Sequence, residues 1–443
     1  MTLPVGLLAA AGLLMAGFWL LLAIAILASL RQVRPLSEVL AAEEAGPAPA
    51  PSLPSRPSIT PLPRLSVIVT ARDEAASIEA TVRRLLAQRY PDLEVVVVDD
   101  RSTDGTAGIL ARLAAEEAGR RAARLRIVRV HNLPPGWLGK VHACHEGARL
   151  ASGAFVLFMD GDVSLEGPDL LARVVGLAER LRLDHIALVP DSRPMSALQA
   201  CLLAFFGQVY LTATLAFEMD RDRRRGGGGI GAFNLIRRSA YDRLGGHTLV
   251  RLDVTDDFKI GRLLKESGAR QRFYNAAELV HCRWHEGALN VVRGLEKNYF
   301  AAFDFQILKV ITFTVAAFAL AFGPLLLALG GFAGPILPAG PAAAPPGMSG
   351  ALLTAALWLP LAIQAIAVWA IARRQAAALG THPIVLALLH PVAVVLLVAA
   401  AWNSTWKTLA RGGVRWRDTF YPIDELRRGL VPAGAGRRLG GLV

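Results

Sequence analysis

The sequence predicts an α/β protein with a doubly wound, mostly parallel sheet, an N-terminal transmembrane anchor and a C-terminal transmembrane helix bundle. Hydrophobic residues make up 53% of the 443 residues and charged residues only 19%, which is too apolar for a wholly soluble protein. The apolar residues are concentrated at the two ends of the chain. Between them, short β-branched runs alternate with helical patterns, which is typical of a parallel sheet covered by helices.

Net charge and cysteine content restrict the function classes. The chain carries 48 Lys and Arg against 36 Asp and Glu, a formal net charge of +12. Much of this excess lies beside apolar segments, at Arg31, Arg34, Arg373 and Arg374, and there it favours anionic lipid over nucleic acid as a partner. The three cysteines show no C-x-x-C spacing, which excludes a disulfide framework and indicates a reducing compartment.

The apolar run at residues 5–30 is uncharged and long enough to cross a bilayer. A cleaved signal peptide is the alternative, but no positive charge precedes the run and it exceeds a usual signal in length. We therefore predict a transmembrane helix within residues 1–30. The arginines that follow place the middle of the chain in the cytoplasm, at the cell inner membrane. Residues 31–63, rich in Pro, Ala and Ser from residue 45 onwards, predict an extended linker.

Three further apolar runs predict transmembrane segments within residues 301–402: 307–332, 351–371 and 383–401. Three crossings would place the tail, residues 403–443, opposite the middle of the chain, whereas its basic residues favour the cytoplasm. Because Pro383 and Pro391 interrupt the last run, a re-entrant pair of half-helices is the alternative to a full span. A shorter apolar run at 198–217 is interpreted as buried or interfacial.

Residues 64–300 predict one globular α/β domain. Its buried strands are predicted at four apolar runs: 65–70, 94–98, 126–130 and 154–159. Short connections through helices predict a doubly wound sheet, and such sheets bind ligands at the carboxyl ends of their strands. The sequence has neither a G-x-G-x-x-G after the first strand nor a P-loop motif, which argues against a dinucleotide-binding or P-loop protein.

Acidic residues directly follow two of these strands. Asp99 and Asp100 end the second strand, and Asp160 and Asp162 follow the fourth. The alternatives are a helix-capping turn for the first pair and a solvated turn for the second. Neighbouring carboxylates repel each other, and a divalent ion with oxygen ligands removes that conflict. We therefore expect ligand binding at the first pair and a metal–diphosphate site at the second.

Two further positions are candidates for the same site. Lys140, at the glycine-bounded start of a helix, is placed to meet phosphate oxygens, although an exposed loop lysine has the same signature. Asp256 and Asp257 open another helix, and we expect one to cap it and the other to be a catalytic carboxylate. The arginine- and glycine-rich loop at 223–229 is either a phosphate clamp or lid, or a solvated linker.

Histidine and cysteine residues form two clusters, at 142–146 and 281–286. Together they have the residue types of a zinc site. The H-x-C-H spacing matches no established zinc pattern, so helical faces beside a phosphate site are the simpler interpretation.

Taken in order, these motifs resemble the family 2 glycosyltransferases of the GT-A fold, in particular membrane-anchored members that act on lipids. The resemblance covers roughly residues 65–298, together with the anchor and the C-terminal helices. The first strand with Ala71 and Glu74 is similar to the family's nucleotide-contacting strand, with Asp73 where Asn is usual. The block at 136–140 resembles one found in hopanoid-, carotenoid- and ceramide-type transferases.

The resemblance implies a role for each candidate residue. Nucleotide-sugar binding is implied for Ala71, Glu74, Asp99, Asp100, Lys140 and Asp160, and metal binding for Asp160 and Asp162. Asp257 corresponds to the catalytic base. Asp256, Arg283 and Trp284 are assigned to the acceptor side. The Arg-Trp pair matches the end of the Q-x-x-R-W motif of processive members, whose Gln is absent here.

The function implied is inverting, metal-dependent transfer of a sugar from a nucleotide-diphosphate sugar, a UDP-sugar, to a hydroxyl of a membrane lipid. The expected cofactor is Mn²⁺ or Mg²⁺, and the expected partners are the sugar donor, the lipid acceptor and the membrane, with no nucleic acid. One alternative is a processive polysaccharide synthase, which the missing Gln and the few C-terminal apolar runs disfavour. Another is a catalytically silent membrane scaffold that binds nucleotide sugars, which the complete set of strand-end acids disfavours.

Overall fold

The computed structural model describes residues 5–45, 61–119, 124–191, 194–219, 221, 223–282, 287–333, 350–432 and 434–439. The chain divides into two compact units, each built from three stretches of sequence. The first, here called the polar unit, comprises Arg31–Arg193, Ala213–Trp284 and Gly412–Val443. The second, here called the apolar unit, comprises Met1–Leu30, Pro194–Thr212 and His285–Arg411.

The strands of the described residues all lie in the polar unit. They are β1 (Leu65–Ala71), β2 (Leu93–Asp100), β3 (Leu125–Val130), β4 (Phe155–Asp160), β5 (Val163–Leu165), β6 (His185–Val189), β7 (Asn234–Arg237), β8 (Gln271–Asn275), β9 (Val280–Cys282), β10 (Gly413–Trp416) and β11 (Thr419–Pro422).

The helices are divided between the two units. They are α1 (Val5–Gln32), α2 (Leu36–Ala45), α3 (Ile78–Leu86), α4 (Thr106–Ala118), α5 (Gly139–Leu150), α6 (Leu170–Arg180), α7 (Ala197–Ala213), α8 (Arg238–Leu244), α9 (Asp256–Ser267), α10 (Ala288–Gly294), α11 (Tyr299–Ala302), α12 (Ile307–Ala333), α13 (Gly350–Gln375), α14 (Pro383–Arg411), α15 (Ile423–Arg428) and α16 (Ala435–Leu439).

A seven-stranded sheet in the order β3-β2-β1-β4-β7-β6-β8 forms the centre of the polar unit. β7 is antiparallel to both of its neighbours, and the other pairings are parallel. The predicted α/β class with a mostly parallel sheet is therefore confirmed. The four predicted strands correspond to β1 to β4, because runs of β-branched residues that are buried on both sides suit the centre of such a sheet.

Helices cover both faces of this sheet. Val67, Val69, Val95 and Val97 point into the larger core, together with residues of α3 and α6. The alternate residues of β2 face the other side, where Val96 and Val98 pack with Ala143 of α5. This alternation follows from the two-residue period of a strand. It fixes α3 and α5 on opposite faces while both begin near the same end of the sheet.

The stretch 31–63 contains a helix that the linker prediction did not include. Leu36, Val39 and Leu40 of α2 are buried in the main core, at a spacing that places them on one helical face. Arg173 of α6 forms an ion pair with Glu44 at 2.7 Å. The alanine-, proline- and serine-rich part of the predicted linker, residues 46–60, lies outside the described residues.

The apolar unit contains the predicted anchor and C-terminal helices. Within the described residues, four helices are long and apolar enough to cross a membrane, namely α1, α12, α13 and α14. The prediction of an N-terminal apolar helix and a C-terminal bundle is therefore confirmed. The alternative of two half-helices for the last run is wrong, because α14 continues through Pro391 to Arg411. Most of the run at 198–217 lies in α7, and its residues up to Thr212 belong to this unit.

The tail returns to the polar unit after α14. Its strands β10 and β11 pair as an antiparallel hairpin, and α15 and α16 follow. Gly436 of α16 packs closely on the backbone of Leu263 in α9, and Leu426 of α15 is fully buried. The predicted basic tail is thus divided: residues 403–411 belong to α14, and the tail from Gly412 onwards belongs to the polar unit.

Candidate active site

Strand β1 lies between the two acid-bearing strands, β2 and β4. Its register pairs Ala71 with Asp99 of β2 and Thr70 with Asp160 of β4. The acids that the sequence placed at the ends of two strands therefore lie on either side of β1, at one edge of the sheet. This edge is the carboxyl end of parallel strands, where doubly wound sheets bind their ligands.

Asp99 and Asp100 are both buried, but their carboxylates have different partners. Asp99 Oδ1 accepts a hydrogen bond from the Ser102 amide at 3.1 Å. Its other oxygen, Oδ2, is buried and accepts no hydrogen bond from the described residues, although the Arg129 guanidinium lies 3.7 Å away. Asp100 instead forms a two-point ion pair with Arg101, at 2.8 and 3.1 Å. One buried acceptor therefore remains for a ligand at this edge.

The loop after β1 is tied to the loop after β2. Asp73, in the left-handed region at φ 55°, accepts a hydrogen bond from the Thr103 amide at 2.7 Å. The Glu74 amide donates to Thr106 Oγ1 at 2.9 Å. Asp104 Oδ1 accepts from the Thr106 amide at 2.9 Å, at the start of α4. These bonds hold Glu74 beside the strand-end acids.

Lys140 enters the site from the first turn of α5. Its Nζ lies 2.6 Å from Asp160 Oδ1. Burial by itself would lower the pKa of this ammonium, but the surrounding carboxylates Asp160, Asp256 and Asp257 outweigh it and raise the pKa well above its usual range. Lys140 is therefore a fixed positive charge in the middle of the acids. An exposed loop lysine, the alternative, does not fit this geometry.

Asp162 lies beyond Asp160 in the turn between β4 and β5. Thr81 of α3 donates to the carbonyl of Gly161 and to that of Val163, both at 3.0 Å, which fixes the turn on α3. Burial, followed by repulsion from the Asp160 and Glu74 carboxylates, raises the pKa of Asp162 to about 6. A divalent cation binds favourably where carboxylate oxygens are held close together despite their mutual repulsion.

Asp257, in the first turn of α9, is oriented by the backbone. Its Oδ2 accepts from the Gly231 amide at 2.6 Å, and its Oδ1 accepts from the Phe258 amide at 2.7 Å. Burial raises its pKa, although Lys140 acts in the opposite direction. We expected one of the two acids to cap α9, but neither does. The N-cap residue is Thr255, and its side chain makes no capping bond.

Gly231 lies where the charged groups converge. A Cβ on this residue would lie 2.9 Å from Asp160 Oδ2, 3.1 Å from Asp257 Oδ2 and 3.2 Å from Lys140 Nζ. All four residues line one pocket. Sequence reasoning missed Gly231, because a glycine in a glycine-rich loop carries no signal of what its backbone faces.

Asp256 lies in the same pocket but is buried, at 4% exposure. Its carboxylate, Cys144 Sγ and a ring nitrogen of His247 lie within 4.8 Å of one another. Burial, with repulsion from Asp257 and against the opposing effect of Lys140, raises the pKa of Asp256 to about 7. Among the described residues, these three side chains form the group of His, Cys and acidic residues that lie close enough together to bind one metal ion. It draws only Cys144 from the two clusters considered for zinc.

The tail hairpin contributes further groups at the same edge. The Tyr421 hydroxyl accepts a hydrogen bond from the Gly139 amide at 3.1 Å, directly before Lys140. Arg417 lies in the hairpin turn, where its backbone has a φ of 53°. Its Nη2 lies 2.9 Å from Glu74 Oε1. Burial raises the pKa of Glu74, and Arg417 opposes that shift. Sequence reasoning missed this hairpin, because more than 270 residues separate it from its partners.

The arginine- and glycine-rich loop does not contribute to the pocket. Arg225 forms a two-point ion pair with the buried carboxylate of Glu218, and Arg223 lies 3.3 Å from the same group. Two of its three arginines therefore pair with Glu218, and no residue of the loop lines the described pocket. Among the acceptor-side candidates, Arg283 and Trp284 lie outside the described residues. The preceding residue, Cys282, pairs with Val163, which follows Asp162 directly.

Known proteins resemble parts of this chain. The 4,4'-diaponeurosporenoate glycosyltransferase of Staphylococcus haemolyticus is 24% identical over 235 residues, covering 53% of this chain and 60% of that protein. The beta-monoglucosyldiacylglycerol synthase of a Nostoc species is 28% identical over 202 residues, covering 45% and 40%. The chain thus aligns with only part of each relative. The mannosyltransferase PcManGT from Pyrobaculum calidifontis, solved in complex with GDP-Man and Mn2+, aligns with a TM-score of 0.40, at 22% identity over 88% of this chain and 98% of that one.

A family model described as "Glycosyltransferase like family 2" matches residues 63–306, more than half of the chain. This range holds every strand of the central sheet and every acid of the pocket. The chain therefore belongs to glycosyltransferase family 2.

Proposed function

We propose that this glycosyltransferase transfers a sugar from a nucleotide-diphosphate sugar, a UDP-sugar, to a hydroxyl of a membrane lipid, with inversion at the anomeric carbon. The observation that carries the proposal is the pocket in which Lys140, Asp160 and Asp257 converge at the carboxyl end of the sheet. A positive charge beside two carboxylates suits a reaction in which a diphosphate leaves and a hydroxyl loses its proton.

The nucleoside is assigned to the edge formed by Ala71, Asp99 and Asp100, with Glu74 beside it. The support is the buried Asp99 Oδ2, which accepts no hydrogen bond from the described residues. A nucleobase N–H would supply the missing donor, and an unmet buried acceptor is otherwise costly. Asp100, held by Arg101, gives this edge a fixed shape.

A divalent ion is assigned to Asp160 and Asp162. The residues fit such an ion, because carboxylate oxygens are ligands for Mn²⁺ or Mg²⁺ and the raised pKa of Asp162 reflects like charges that an ion would relieve. When bound, the ion supplies positive charge that stabilises the leaving diphosphate. Lys140 contributes the same stabilisation from the protein side, since its ammonium already lies against Asp160.

Asp257 is assigned as the base. Its two backbone hydrogen bonds fix the carboxylate and leave each oxygen with a further lone pair. Its raised pKa makes it a stronger base than an exposed aspartate. As the acceptor oxygen attacks the anomeric carbon, Asp257 takes the hydroxyl proton and the bond from that carbon to the diphosphate oxygen breaks, so the new bond forms on the opposite face.

The lipid acceptor is supported by the apolar helices and by the relatives, whose names specify 4,4'-diaponeurosporenoate and monoglucosyldiacylglycerol. Asp256, Arg283 and Trp284 are assigned to the acceptor side of the pocket. The basic residues after α1, Arg31 and Arg34, support a cytoplasmic position of the polar unit at the cell inner membrane.

The full chain in vesicles of total lipid extract tests this function. Radiolabelled UDP-sugars and GDP-sugars are supplied with Mn²⁺, with Mg²⁺ or with EDTA, and the organic phase is analysed by mass spectrometry. We expect one UDP-sugar to label a lipid in a metal-dependent reaction. Label in a water-soluble polymer would indicate a processive synthase instead, and no label from any donor would indicate a silent scaffold.

A further inference from the structure

We propose that Cys144, His247 and Asp256 form a binding site for one zinc ion in the polar unit, separate from the ion assigned to Asp160 and Asp162. The ligand atoms of these three side chains lie within 4.8 Å of one another, and all three residues are buried. Sulfur, nitrogen and oxygen ligands in one group are typical of zinc. The proposal stands on this geometry and does not depend on the proposed reaction.

Three elements of the polar unit carry the ligands. Cys144 lies in α5, His247 in the short 3₁₀ helix after α8, and Asp256 in the first turn of α9. Both α5 and α9 pack on that 3₁₀ helix. The Leu138 amide, directly before α5, donates to the Arg251 carbonyl at 2.8 Å, which fixes the start of α5 to the end of the 3₁₀ helix. The backbone therefore holds Cys144 beside two residues from a distant part of the sequence.

The His247 ring is oriented by Tyr241 of α8. Ring atom Nδ1 lies 2.7 Å from the Tyr241 hydroxyl, and the His247 backbone amide donates to the same hydroxyl at 3.2 Å. Gly246 permits this contact, because a Cβ there would lie 2.7 Å from the tyrosine ring. With Nδ1 engaged, the ring presents Nε2 to an ion, and such a partner is typical of metal-binding histidines. Burial lowers the pKa of His247 to about 3, so the imidazole is neutral, which is the form that binds metals.

The Asp256 carboxylate is a buried group without a close partner. It is only 4% exposed and lines the pocket. Within the part of the chain that the structure describes, it makes neither a hydrogen bond nor an ion pair, and the ammonium of Lys140 pairs with Asp160 instead. An ionised carboxylate without a partner is costly to bury, and a divalent ion supplies the missing partner.

The assigned base, Asp257, is not part of this group, although it directly follows Asp256. Both of its carboxylate oxygens accept hydrogen bonds from backbone amides, those of Gly231 and Phe258. The group of close ligand atoms contains the carboxylate of Asp256 and not that of Asp257. Cys144, His247 and Asp256 are therefore a separate set of ligands within the pocket.

Cys144 supplies the ligand that makes the site selective. Thiolate and imidazole are softer ligands than carboxylates and favour zinc over magnesium or manganese, whereas Asp160 and Asp162 offer carboxylate oxygens. Burial raises the pKa of the Cys144 thiol, so the thiol keeps its proton when no ion is bound. Binding of the ion replaces the S–H bond with a Zn–S bond and releases that proton to solvent.

The distances fit a tetrahedral ion after a small contraction of the group. Zinc lies about 2.3 Å from sulfur and about 2.0–2.2 Å from nitrogen and oxygen, which sets the ligand atoms about 3.5 Å apart. From separations of up to 4.8 Å, the ligand atoms need to move by about 1 Å. Three protein ligands leave the fourth tetrahedral position to a water molecule, as in other zinc sites with an open position.

X-ray absorption spectroscopy of the zinc-loaded wild-type chain tests the ligand set without any substitution. The full chain in detergent is stripped of metal with EDTA, dialysed, and given one equivalent of Zn²⁺ in the presence of excess Mg²⁺. We expect a sulfur neighbour at about 2.3 Å together with nitrogen and oxygen neighbours at about 2.0–2.2 Å. A shell of nitrogen and oxygen alone, or a chain that retains no zinc, would overturn the proposal.

Substitutions identify the sulfur and separate the two ion sites. In Cys144→Ser and in Asp256→Asn, we expect the affinity for Zn²⁺, measured by competition with a chromophoric chelator, to fall at least about tenfold. The double variant Cys201→Ser and Cys282→Ser, which retains only Cys144 of the three cysteines, should bind zinc as the wild type does. Asp162→Asn, the matched carboxylate control, should do the same. Loss of zinc in Asp162→Asn with wild-type affinity in Cys144→Ser would move the ion to the other acids and overturn the proposal.

Tyr241→Phe tests the site while it retains all three ligands. The substitution removes only the hydroxyl that orients His247, and loss of such a partner typically weakens metal binding about 10- to 100-fold. We expect this loss of affinity for Zn²⁺ in the same competition assay. Wild-type zinc affinity in Tyr241→Phe would overturn the assignment of His247 as a ligand.

Discussion

Lys140 Nζ lies 2.6 Å from Asp160 Oδ1, so a lysine from α5 neutralises the acid at the end of β4. Lys140 also interacts with the acids at the start of α9, because Asp256 and Asp257 raise the pKa of the same ammonium. Its charge is therefore shared between the assigned metal-binding acid and the assigned base.

Lys140→Ala should weaken donor binding and transfer together. The substitution removes the protein cation assigned to the diphosphate, and an interaction of this kind is worth on the order of tenfold to several hundredfold. Calorimetry with UDP and Mn²⁺ checks binding, and lipid labelling checks transfer. Lys309→Ala, which removes a lysine paired with Asp304 in the apolar unit, is the control and should change neither. An unchanged affinity of Lys140→Ala for UDP would contradict the assignment of Lys140 to the diphosphate.

The tail hairpin should contribute to the donor site. Arg417→Ala releases Glu74, and Tyr421→Phe removes the hydroxyl that accepts from the Gly139 amide. We expect either substitution to raise the KM for the donor several-fold with a smaller effect on kcat. The reason is that the hairpin positions the loops assigned to donor binding and takes no part in the chemical step. Steady-state kinetics check this, with Arg415→Ala, an exposed position on the same hairpin, as the matched control. Equal KM values in Arg417→Ala and Arg415→Ala would restrict the hairpin to a structural role.

Gly231→Ala should reduce kcat without unfolding the protein. The added Cβ would lie 2.9 to 3.2 Å from three charged atoms, and these must shift to accept it. We expect a loss of at least about tenfold, since displacements of 1 Å in an active site can cost about a hundredfold. Thermal unfolding and kinetics are compared with Gly108→Ala, an exposed helical glycine with no neighbour within 4 Å. Wild-type kcat in Gly231→Ala would show that the close approach is not needed.

The buried acid Asp256 should make stability depend on pH. Its pKa is raised from 3.8 to about 7, chiefly by burial, so the folded protein holds a proton that the unfolded chain releases. The folded state binds more protons between these values, and stability therefore falls as pH rises from about 4 to about 7 and levels off above. Thermal unfolding from pH 4.5 to 8.5 checks this. Asp256→Asn should flatten the slope, whereas Asp424→Asn at an exposed position should retain it. An unchanged slope in Asp256→Asn would contradict the shift.

Part of the candidate site was predictable because three of its acids come at the ends of buried apolar strands. Asp99, Asp100 and Asp160 inherit their positions from the ends of β2 and β4, and parallel strands present those ends at one edge. Asp257 was found from its place at the start of a helix. These are local patterns, in which a few neighbouring residues determine both the element and the direction of the side chain.

The remaining features depend on contacts between distant segments. Gly231 and His247 reach the pocket only through the packing of loops, and Tyr421 reaches Gly139 only through the packing of the tail, so no local pattern marks them. The short helix α2 was missed because a proline-rich stretch follows it.

The measurement that tests the central claim most directly compares the wild-type chain with Asp257→Asn. Both are supplied with the labelled UDP-sugar and lipid, and transfer to the organic phase is followed beside UDP binding, with Asp242→Asn, an exposed acid paired with Arg238, as the control. We predict that Asp257→Asn loses about 10²- to 10⁴-fold in transfer while its UDP affinity stays within about twofold, because only proton removal is affected. Transfer by Asp257→Asn at the wild-type rate would contradict the account.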